Sequence, residues 1–201
     1  MNIAVFVSGR GSNLQAIINS QKEQLKFEVK AVISDKLSCP AFEIAGNNSI
    51  PAYSVGSKEG FIGYPLLSEI FDKQKIELIV LAGFLKLIPD SFVNKYPNRI
   101  INIHPALLPS FGGAGMFGLN VHKAVFESSA KVSGATVHFV DLTYDTGKII
   151  AQRCVDISDV KSPEEIAERV LKIEHEILPY VINKLAENKV KIIDNRVVVL
   201  D

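Results

Sequence analysis

This chain of 201 residues has no excess of charge, no paired cysteines and no long apolar segments. Its 22 Lys and Arg residues balance 22 Asp and Glu residues, so electrostatics give no support for a nucleic-acid or membrane partner. The two cysteines, Cys39 and Cys154, have no metal-like spacing, which favours a reduced cytoplasmic protein. No apolar run approaches the ~20 residues that span a bilayer, and residues 1–7 lack the basic start of a signal peptide.

The composition that remains is that of an ordinary globular protein, with 47% hydrophobic residues and enough length to bury a full core. Apolar strands alternate with helical patterns through the first hundred residues, which predicts an α/β fold with a doubly wound, mostly parallel sheet. Val190–Leu200 predicts a closing antiparallel hairpin. We expect one domain over 1–201, with a parallel phosphate-binding half at 1–100 and a half at 101–201 that has a mixed sheet and a long C-terminal helix.

A glycine-rich turn follows the first predicted strand. Asn2–Ser8 is almost continuously apolar, and the residues after it, Gly9-Arg10-Gly11-Ser12-Asn13, lead into a helical pattern. The glycines allow a ligand to approach the backbone, and a helix N-terminus is a natural phosphate site. The same residues also fit a tight turn in which Ser12 or Asn13 caps the helix, so both interpretations remain open.

The most informative pair of polar residues lies in a short apolar strand. Asn102 and His104 are two positions apart, so their side chains point to the same face of Ile100–His104, and Pro105 ends the strand. A neutral donor beside a titratable ring at the carboxyl end of a strand can stabilise an oxyanion and move a proton. Taken alone, Asn-X-His favours a core histidine with satisfied hydrogen bonds.

Three loops complete the set of candidate segments. Residues 83–88 are unusually apolar, so they either pack on the core or line a pocket for a flat aromatic ligand. Residues 107–122 hold several glycines and are predicted to be a mobile active-site loop. Residues 141–148 carry Asp141 and Asp145, and Ser162-Pro163 then begins a helix that is predicted to reach Asn188.

Four motifs in one order resemble a known family. They are Ser8-Gly9-Arg10-Gly11-Ser12-Asn13-Leu14, Leu81-Ala82-Gly83-Phe84, Asn102-Ile103-His104-Pro105-Ala106-Leu107-Leu108-Pro109-Ser110-Phe111, and His138-Phe139-Val140 followed by Asp145. Together they resemble the phosphoribosylglycinamide formyltransferases, folate-dependent enzymes of purine synthesis. The resemblance covers essentially the whole chain and implies a Rossmann-like formyltransferase fold.

The resemblance implies catalytic roles for three residues. The primary amine of a glycinamide ribotide would attack the formyl carbon of the co-substrate 10-formyltetrahydrofolate and generate a tetrahedral oxyanion. Asn102 and His104, as imidazolium, would donate hydrogen bonds to that oxygen. Asp145 would stabilise the imidazolium and help to move a proton between the two amines. Because a neighbouring carboxylate favours the charged ring, we expect a raised pKa for His104.

The resemblance also implies binding roles. Gly11, Ser12 and Asn13 would hold the ribotide phosphate, and Glu174 would contact the glycinamide substrate near its amine. The pterin pocket would be lined by Phe84, Leu85, Lys86, Leu87 and Ile88. Two positions depart from the family pattern. Leu171 stands where relatives often have Lys or Gln, and Ala114 stands where they often have Lys.

The remaining polar residues receive no catalytic role. Asp141 is predicted to be a solvated or capping carboxylate, and His122 to flank the glycine-rich loop. His138 could lie in the strand core, line the pocket wall or take part in catalysis, and these three interpretations remain open.

Related activities remain as alternatives. A formyltetrahydrofolate hydrolase (deformylase) resembles the chain in the same triad but usually has an extra N-terminal regulatory domain. Methionyl-tRNA formyltransferases add a basic C-terminal domain, and a non-catalytic nucleotide-binding module predicts damage to the triad. We expect small-molecule substrates, no metal, no nucleic-acid or membrane partner, and a monomer or weak homodimer in the cytoplasm.

Overall fold

A computed structural model describes residues 1–22 and 26–200. Over that part of the chain the strands are β1 (Asn2–Val7), β2 (Glu28–Ser34), β3 (Ala52–Ser54), β4 (Leu78–Leu81), β5 (Ile100–His104), β6 (Val132–Phe139), β7 (Ile149–Asp156), β8 (Val190–Ile193) and β9 (Arg196–Val199). The helices are α1 (Ser12–Gln21), α2 (Ala41–Asn47), α3 (Tyr64–Gln74), α4 (Asp90–Lys95), α5 (Leu119–Glu127) and α6 (Pro163–Ala186).

The strands form a seven-stranded sheet and a separate hairpin. The order in the large sheet is β3-β2-β1-β4-β5-β6-β7, and β8 pairs with β9. Strand β1 is parallel to β2 and β4, and β2 is parallel to β3, whereas β6 and β7 are antiparallel. The predicted α/β class, the mostly parallel sheet and the antiparallel C-terminal hairpin are therefore confirmed.

The chain divides into two compact units, 1–101 and 102–201, and the prediction of one domain remains a prediction. In the first unit, residues 3–7 of β1 are completely buried, as expected for an apolar strand covered on both faces. The register pairs Val7 with Ser34 of β2, and Phe6 with Leu81 of β4. The carboxyl ends of these strands are thus aligned, and the glycine-rich turn leaves the sheet at this edge.

Helix α1 begins differently from the prediction. Its N-cap is Gly11, with a left-handed φ of 80°, so the alternative in which Ser12 or Asn13 caps the helix is wrong. A Cβ atom at Gly11 would lie 2.7 Å from the Cβ atom of Ala41, at the start of α2. Only glycine combines this backbone conformation with so close an approach to the neighbouring helix.

In the second unit, the antiparallel strands β6 and β7 pack against the long helix α6. The Ser162 hydroxyl caps α6 by accepting a hydrogen bond from the Glu165 N–H at 3.3 Å, and Pro163 occupies the first turn. The helix ends at Ala186, two residues before the predicted end, and contains Pro179. Among the described residues, no helix is long and apolar enough to cross a membrane.

Candidate active site

Four polar side chains of the second unit meet where β5 and β6 end. The Asn102 amide nitrogen lies 3.1 Å from His138 Nε2. Asp145 Oδ1 lies 3.5 Å from His138 Nε2, and Asp145 Oδ2 lies 3.5 Å from His104 Nδ1. The structure thus brings together the three predicted catalytic residues and adds His138 to them.

The hydrogen bonds determine which groups donate. The Phe139 carbonyl can only accept, so His138 Nδ1, 2.8 Å away, donates to it. In the neutral ring, His138 Nε2 then accepts from the Asn102 amide. A primary amide nitrogen has two N–H groups. With His138 in this neutral form, the contact fixes the orientation of Asn102 and leaves its second N–H as a donor for an oxygen atom of a ligand.

His104 is held by a main-chain acceptor on one side and a carboxylate on the other. Its Nε2 donates to the Phe111 carbonyl at 2.8 Å, and the residue is only 3% exposed. Burial lowers the pKa of His104 by more than the Asp145 carboxylate and the Phe111 carbonyl raise it, and His138 lowers it further. The expectation of a raised pKa is therefore wrong, because burial outweighs the carboxylate.

Asp145 lies in the loop between β6 and β7 and has a left-handed φ of 57°. Its Oδ2 accepts a hydrogen bond from the Gly113 N–H at 2.8 Å. Burial raises the pKa of Asp145, but its contacts with His138, the Gly113 N–H and His104 lower it by more, so the group stays a carboxylate. It lines a cavity of about 420 Å³, together with Gly112 and Tyr144.

The two histidines without an assigned role have defined places in the structure. His138 contacts both Asn102 and Asp145, and its place at the end of an alternating strand, shortly before Asp145, is the sequence signal for this position. His122 lies in α5, is only 5% exposed, and its Nδ1 has no hydrogen-bond partner among the described residues. Burial lowers the pKa of His122 to about 4, and the charge of His104 acts in the same direction.

The prediction for Asp141 is confirmed. Its carboxylate is exposed and accepts hydrogen bonds from the Thr143 N–H at 3.0 Å and from the Thr146 hydroxyl at 2.9 Å. Asp141 therefore stabilises the loop that carries Asp145, and among the described residues its hydrogen bonds are to Thr143 and Thr146.

In the first unit, contacts from neighbouring loops fix the start of the glycine-rich turn. The Ser8 N–H donates to the Gly83 carbonyl at 3.1 Å, and the Ser8 hydroxyl accepts from the Leu85 N–H at 2.9 Å. The Ser8 carbonyl accepts from the Lys36 ammonium. With Gly11 as the cap, no side chain of the cap residue covers the first N–H groups of α1.

The predicted pterin-pocket residues are divided between core and surface. Phe84 packs edge-on against Phe6, with 5.2 Å between ring centroids, and Ile88 is 4% exposed. Leu85 and Leu87 are exposed by 46% and 52%, and Lys86 is exposed as well. The segment thus presents apolar side chains at the surface, while Phe84 and Ile88 anchor it to the core.

The helix α6 carries the predicted substrate contact. Glu174 is 9% exposed, so it is buried and does not belong to a solvated helix face. Leu171, one turn earlier, is partly buried, and the neighbouring Lys172 is exposed. Within the described ranges, no group of three or more His, Cys, Asp and Glu side chains is arranged to hold a metal ion.

Comparison with known proteins identifies the family. Residues 1–182 match the family model described as formyl transferase. The chain belongs to the formyl transferase family. Within this family it is 42% identical over 194 residues to the chloroplastic phosphoribosylglycinamide formyltransferase of Arabidopsis thaliana, covering 94% of this chain and 66% of that protein. It is 37% identical to the phosphoribosylglycinamide formyltransferase of Bacillus subtilis, covering 90% of this chain and 93% of that protein.

Solved structures give the same result. A phosphoribosylglycinamide formyltransferase from Anaplasma phagocytophilum superposes on the whole chain with a TM-score of 0.90 at 32% identity, over 93% of that structure. A formyltetrahydrofolate deformylase from Pseudomonas syringae superposes with a TM-score of 0.86 at 25% identity, and the match covers 66% of that structure. The resemblance predicted from the sequence is thus confirmed, although the chain spans slightly less than two thirds of its Arabidopsis relative.

Proposed function

We propose that this formyl transferase moves the formyl group of 10-formyltetrahydrofolate to the primary amine of N1-(5-phospho-D-ribosyl)glycinamide, a step of purine (IMP) synthesis. The observation that carries the proposal is the cluster of Asn102, His104 and Asp145 beside a cavity of about 420 Å³ that Asp145 lines. The printed names of the plant and bacterial relatives support the choice of substrates.

The reaction needs an oxyanion donor and a group that moves one proton. The amine nitrogen forms a bond to the formyl carbon, the bond from that carbon to N10 of the folate breaks, and one proton passes from the attacking amine to N10. The second N–H of Asn102, oriented by His138, is suited to donate to the oxygen that becomes negative. A donor of this kind contributes about 3 kcal/mol of transition-state stabilisation.

His104 is suited to move the proton. Because its pKa is lowered, the resting ring is neutral at pH 7, with its proton on Nε2 and the lone pair on Nδ1. We propose that Nδ1 accepts the proton of the attacking amine and returns it to N10. The imidazolium that forms in between is flanked by the Asp145 carboxylate and the Phe111 carbonyl, both of which stabilise its charge. In this mechanism His104 is neutral before the reaction, whereas the resemblance to the family implies that it is an imidazolium.

The binding roles are proposed from the resemblance and are compatible with the local structure. Gly11, Ser12 and Asn13 would hold the phosphate at the start of α1, and Glu174 would contact the glycinamide substrate near its amine. Residues 84–88 would line the pterin pocket. We further propose two small-molecule substrates, no metal, no nucleic-acid or membrane partner, a monomer or weak homodimer, and a place in the cytoplasm.

One assay tests the activity and its alternative. Formyl-folate turnover is measured with and without the ribotide for the wild type, Asp145→Asn and the control Asp141→Asn. The control removes an exposed charge from the same loop, and its amide oxygen can still accept from Thr143 and Thr146. We expect ribotide-dependent turnover, a loss of at least about 100-fold in kcat for Asp145→Asn, and nearly unchanged activity for Asp141→Asn. Rapid formation of formate without ribotide would instead establish the deformylase.

A further inference from the structure

The main chain of the glycine-rich loop contacts both members of the proposed acid–base pair, His104 and Asp145. The Phe111 carbonyl accepts from His104 Nε2 at 2.8 Å. The Gly113 N–H, two residues later, donates to Asp145 Oδ2 at 2.8 Å. Consecutive peptide groups around Gly112 thus contact both members of the pair, which are themselves 3.5 Å apart.

The contact with Phe111 determines the tautomer of His104. A carbonyl oxygen accepts and never donates, so the hydrogen bond requires a proton on Nε2. In the neutral ring, Nδ1 is then the unprotonated nitrogen, and it is Nδ1 that faces Asp145. Rotation of the Phe111 peptide would remove this preference, and the ring would then be free to place its proton on Nδ1.

The contact with Gly113 determines where the carboxylate lies. Asp145 Oδ2 is the oxygen that faces His104, and it is also the oxygen that accepts from Gly113. This backbone hydrogen bond contributes to keeping the pKa of Asp145 low. The same N–H therefore positions the carboxylate and helps to keep it charged.

Gly112, the residue between these two peptide groups, is closely packed against two side chains. A Cβ atom on Gly112 would lie 2.5 Å from Leu108 Cδ2 and 3.2 Å from the Cβ atom of Asp145. Gly112 does not have a positive φ, so an alanine there would meet steric contacts without backbone strain. The end of the Leu108 side chain can rotate away, whereas the Asp145 Cβ atom would have to shift by a few tenths of an ångström.

We propose that residues 111–113 are a positioning element for the acid–base pair: the Phe111 carbonyl keeps the His104 proton on Nε2, and the Gly113 N–H holds Asp145 opposite Nδ1. Gly112 is the residue that permits both contacts at once. This inference rests on the proposed function, since it assigns a purpose to the loop within that reaction. The loop residues are positioning residues and need not touch either substrate.

The test uses Gly112→Ala, with Gly115→Ala as the control in the same loop. Gly115 has open space around its Cβ direction and a positive φ, so its alanine variant strains the loop without touching the pair. For Gly112→Ala we expect kcat to fall about tenfold, with KM for the ribotide within about twofold of the wild type. The acidic limb of the kcat–pH profile reports protonation of His104, and it should move to lower pH, because the Phe111 carbonyl and the Asp145 carboxylate raise the pKa of this ring and both contacts are weakened.

A second variant separates positioning from packing. Leu108→Val removes Cδ2, the atom that the new methyl group of Gly112→Ala approaches most closely. The double variant Gly112→Ala/Leu108→Val therefore retains only the steric contact with Asp145, and Leu108→Val alone is its reference. We expect the pH shift to persist in the double variant. Full rescue by Leu108→Val, or an unchanged pH profile in a folded Gly112→Ala protein, would overturn the proposal. An equal pH shift in Gly115→Ala would also overturn it.

A measurement without turnover distinguishes this inference from the proposed function. The ¹⁵N chemical shifts of the His104 ring in the unliganded wild type report which nitrogen is protonated at pH 7. We expect the Nε2–H tautomer, and a mixture of tautomers in Gly112→Ala. A wild type with the Nε2–H tautomer but without ribotide formylation would leave the positioning element intact and refute the proposed reaction. An Nδ1–H tautomer in the wild type would refute the positioning element.

Discussion

His122 should make the stability of the protein depend on pH, and His122→Gln is the substitution that reveals it. Burial lowers the pKa of this ring to about 4, from an ordinary value of about 6.5. The unfolded chain therefore binds a proton near pH 6.5 that the folded protein rejects until about pH 4. The resulting stability is fully present above pH 6.5 and is lost as the pH falls through this window.

The two pKa values set the magnitude. Proton linkage between 6.5 and about 4 gives a loss of about 2 kcal/mol of unfolding free energy at pH 5, relative to pH 7.5. We therefore expect a loss of between about 1 and 2 kcal/mol. The glutamine variant lacks this titrating group. Between pH 7.5 and pH 5, its free energy of unfolding should therefore fall by about 1 to 2 kcal/mol less than that of the wild type.

Urea denaturation at pH 7.5 and pH 5 measures this difference. Lys123→Gln, at an exposed position of the same helix, is the matched control and should follow the wild type. Parallel pH dependences in the wild type and His122→Gln would refute the argument. An NMR titration of the wild-type ring gives an independent check, because a midpoint above about pH 6 would show that burial does not control this group.

Two further substitutions test the supports of the site. Gly11→Ala should lower the free energy of unfolding by about 2–4 kcal/mol, because its Cβ atom would lie 2.7 Å from that of Ala41 and the backbone has a φ of 80°. Gly9→Ala should lower it far less, because no atom lies within 4 Å of the position of its Cβ atom. Urea denaturation of both variants measures this, and equal losses would contradict it. Thr136→Val should cost about 1–3 kcal/mol, because the buried Thr136 hydroxyl accepts from the Leu108 N–H at 3.1 Å and donates to the Ala106 carbonyl at 2.7 Å. A thermal melt unchanged from the wild type would show that another group replaces this hydroxyl.

The regular elements could be predicted from the sequence because their signals are local. The apolar strand β1, the cap and proline at the start of α6, and the hairpin of β8 and β9 all follow from periodicity and turn residues over short windows. The start of α1 could not be predicted this way. Gly11 is its cap because of a close contact with α2, which lies about thirty residues later in the chain.

The candidate site shows the same division. The spacing of Asn102 and His104 places them on one face of a strand, and the family resemblance adds Asp145. The pKa of His104 was predicted in the wrong direction, because a sequence shows that a carboxylate is near but not how deeply the ring is buried. His138 was left open for a related reason, since its contact with Asn102 depends on how the strands are arranged.

The conformation of Asp145 has a consequence for mutagenesis. A φ of 57° is tolerated by Asp and Asn far better than by most residues, because their short polar side chains can bond locally. Alanine scanning at this position would therefore change the backbone preference of the turn together with the carboxylate, and would exaggerate the chemical contribution of the residue. Asparagine retains both the shape of the side chain and the turn. A natural variant with Asn at this position would therefore be a folded protein that lacks the carboxylate.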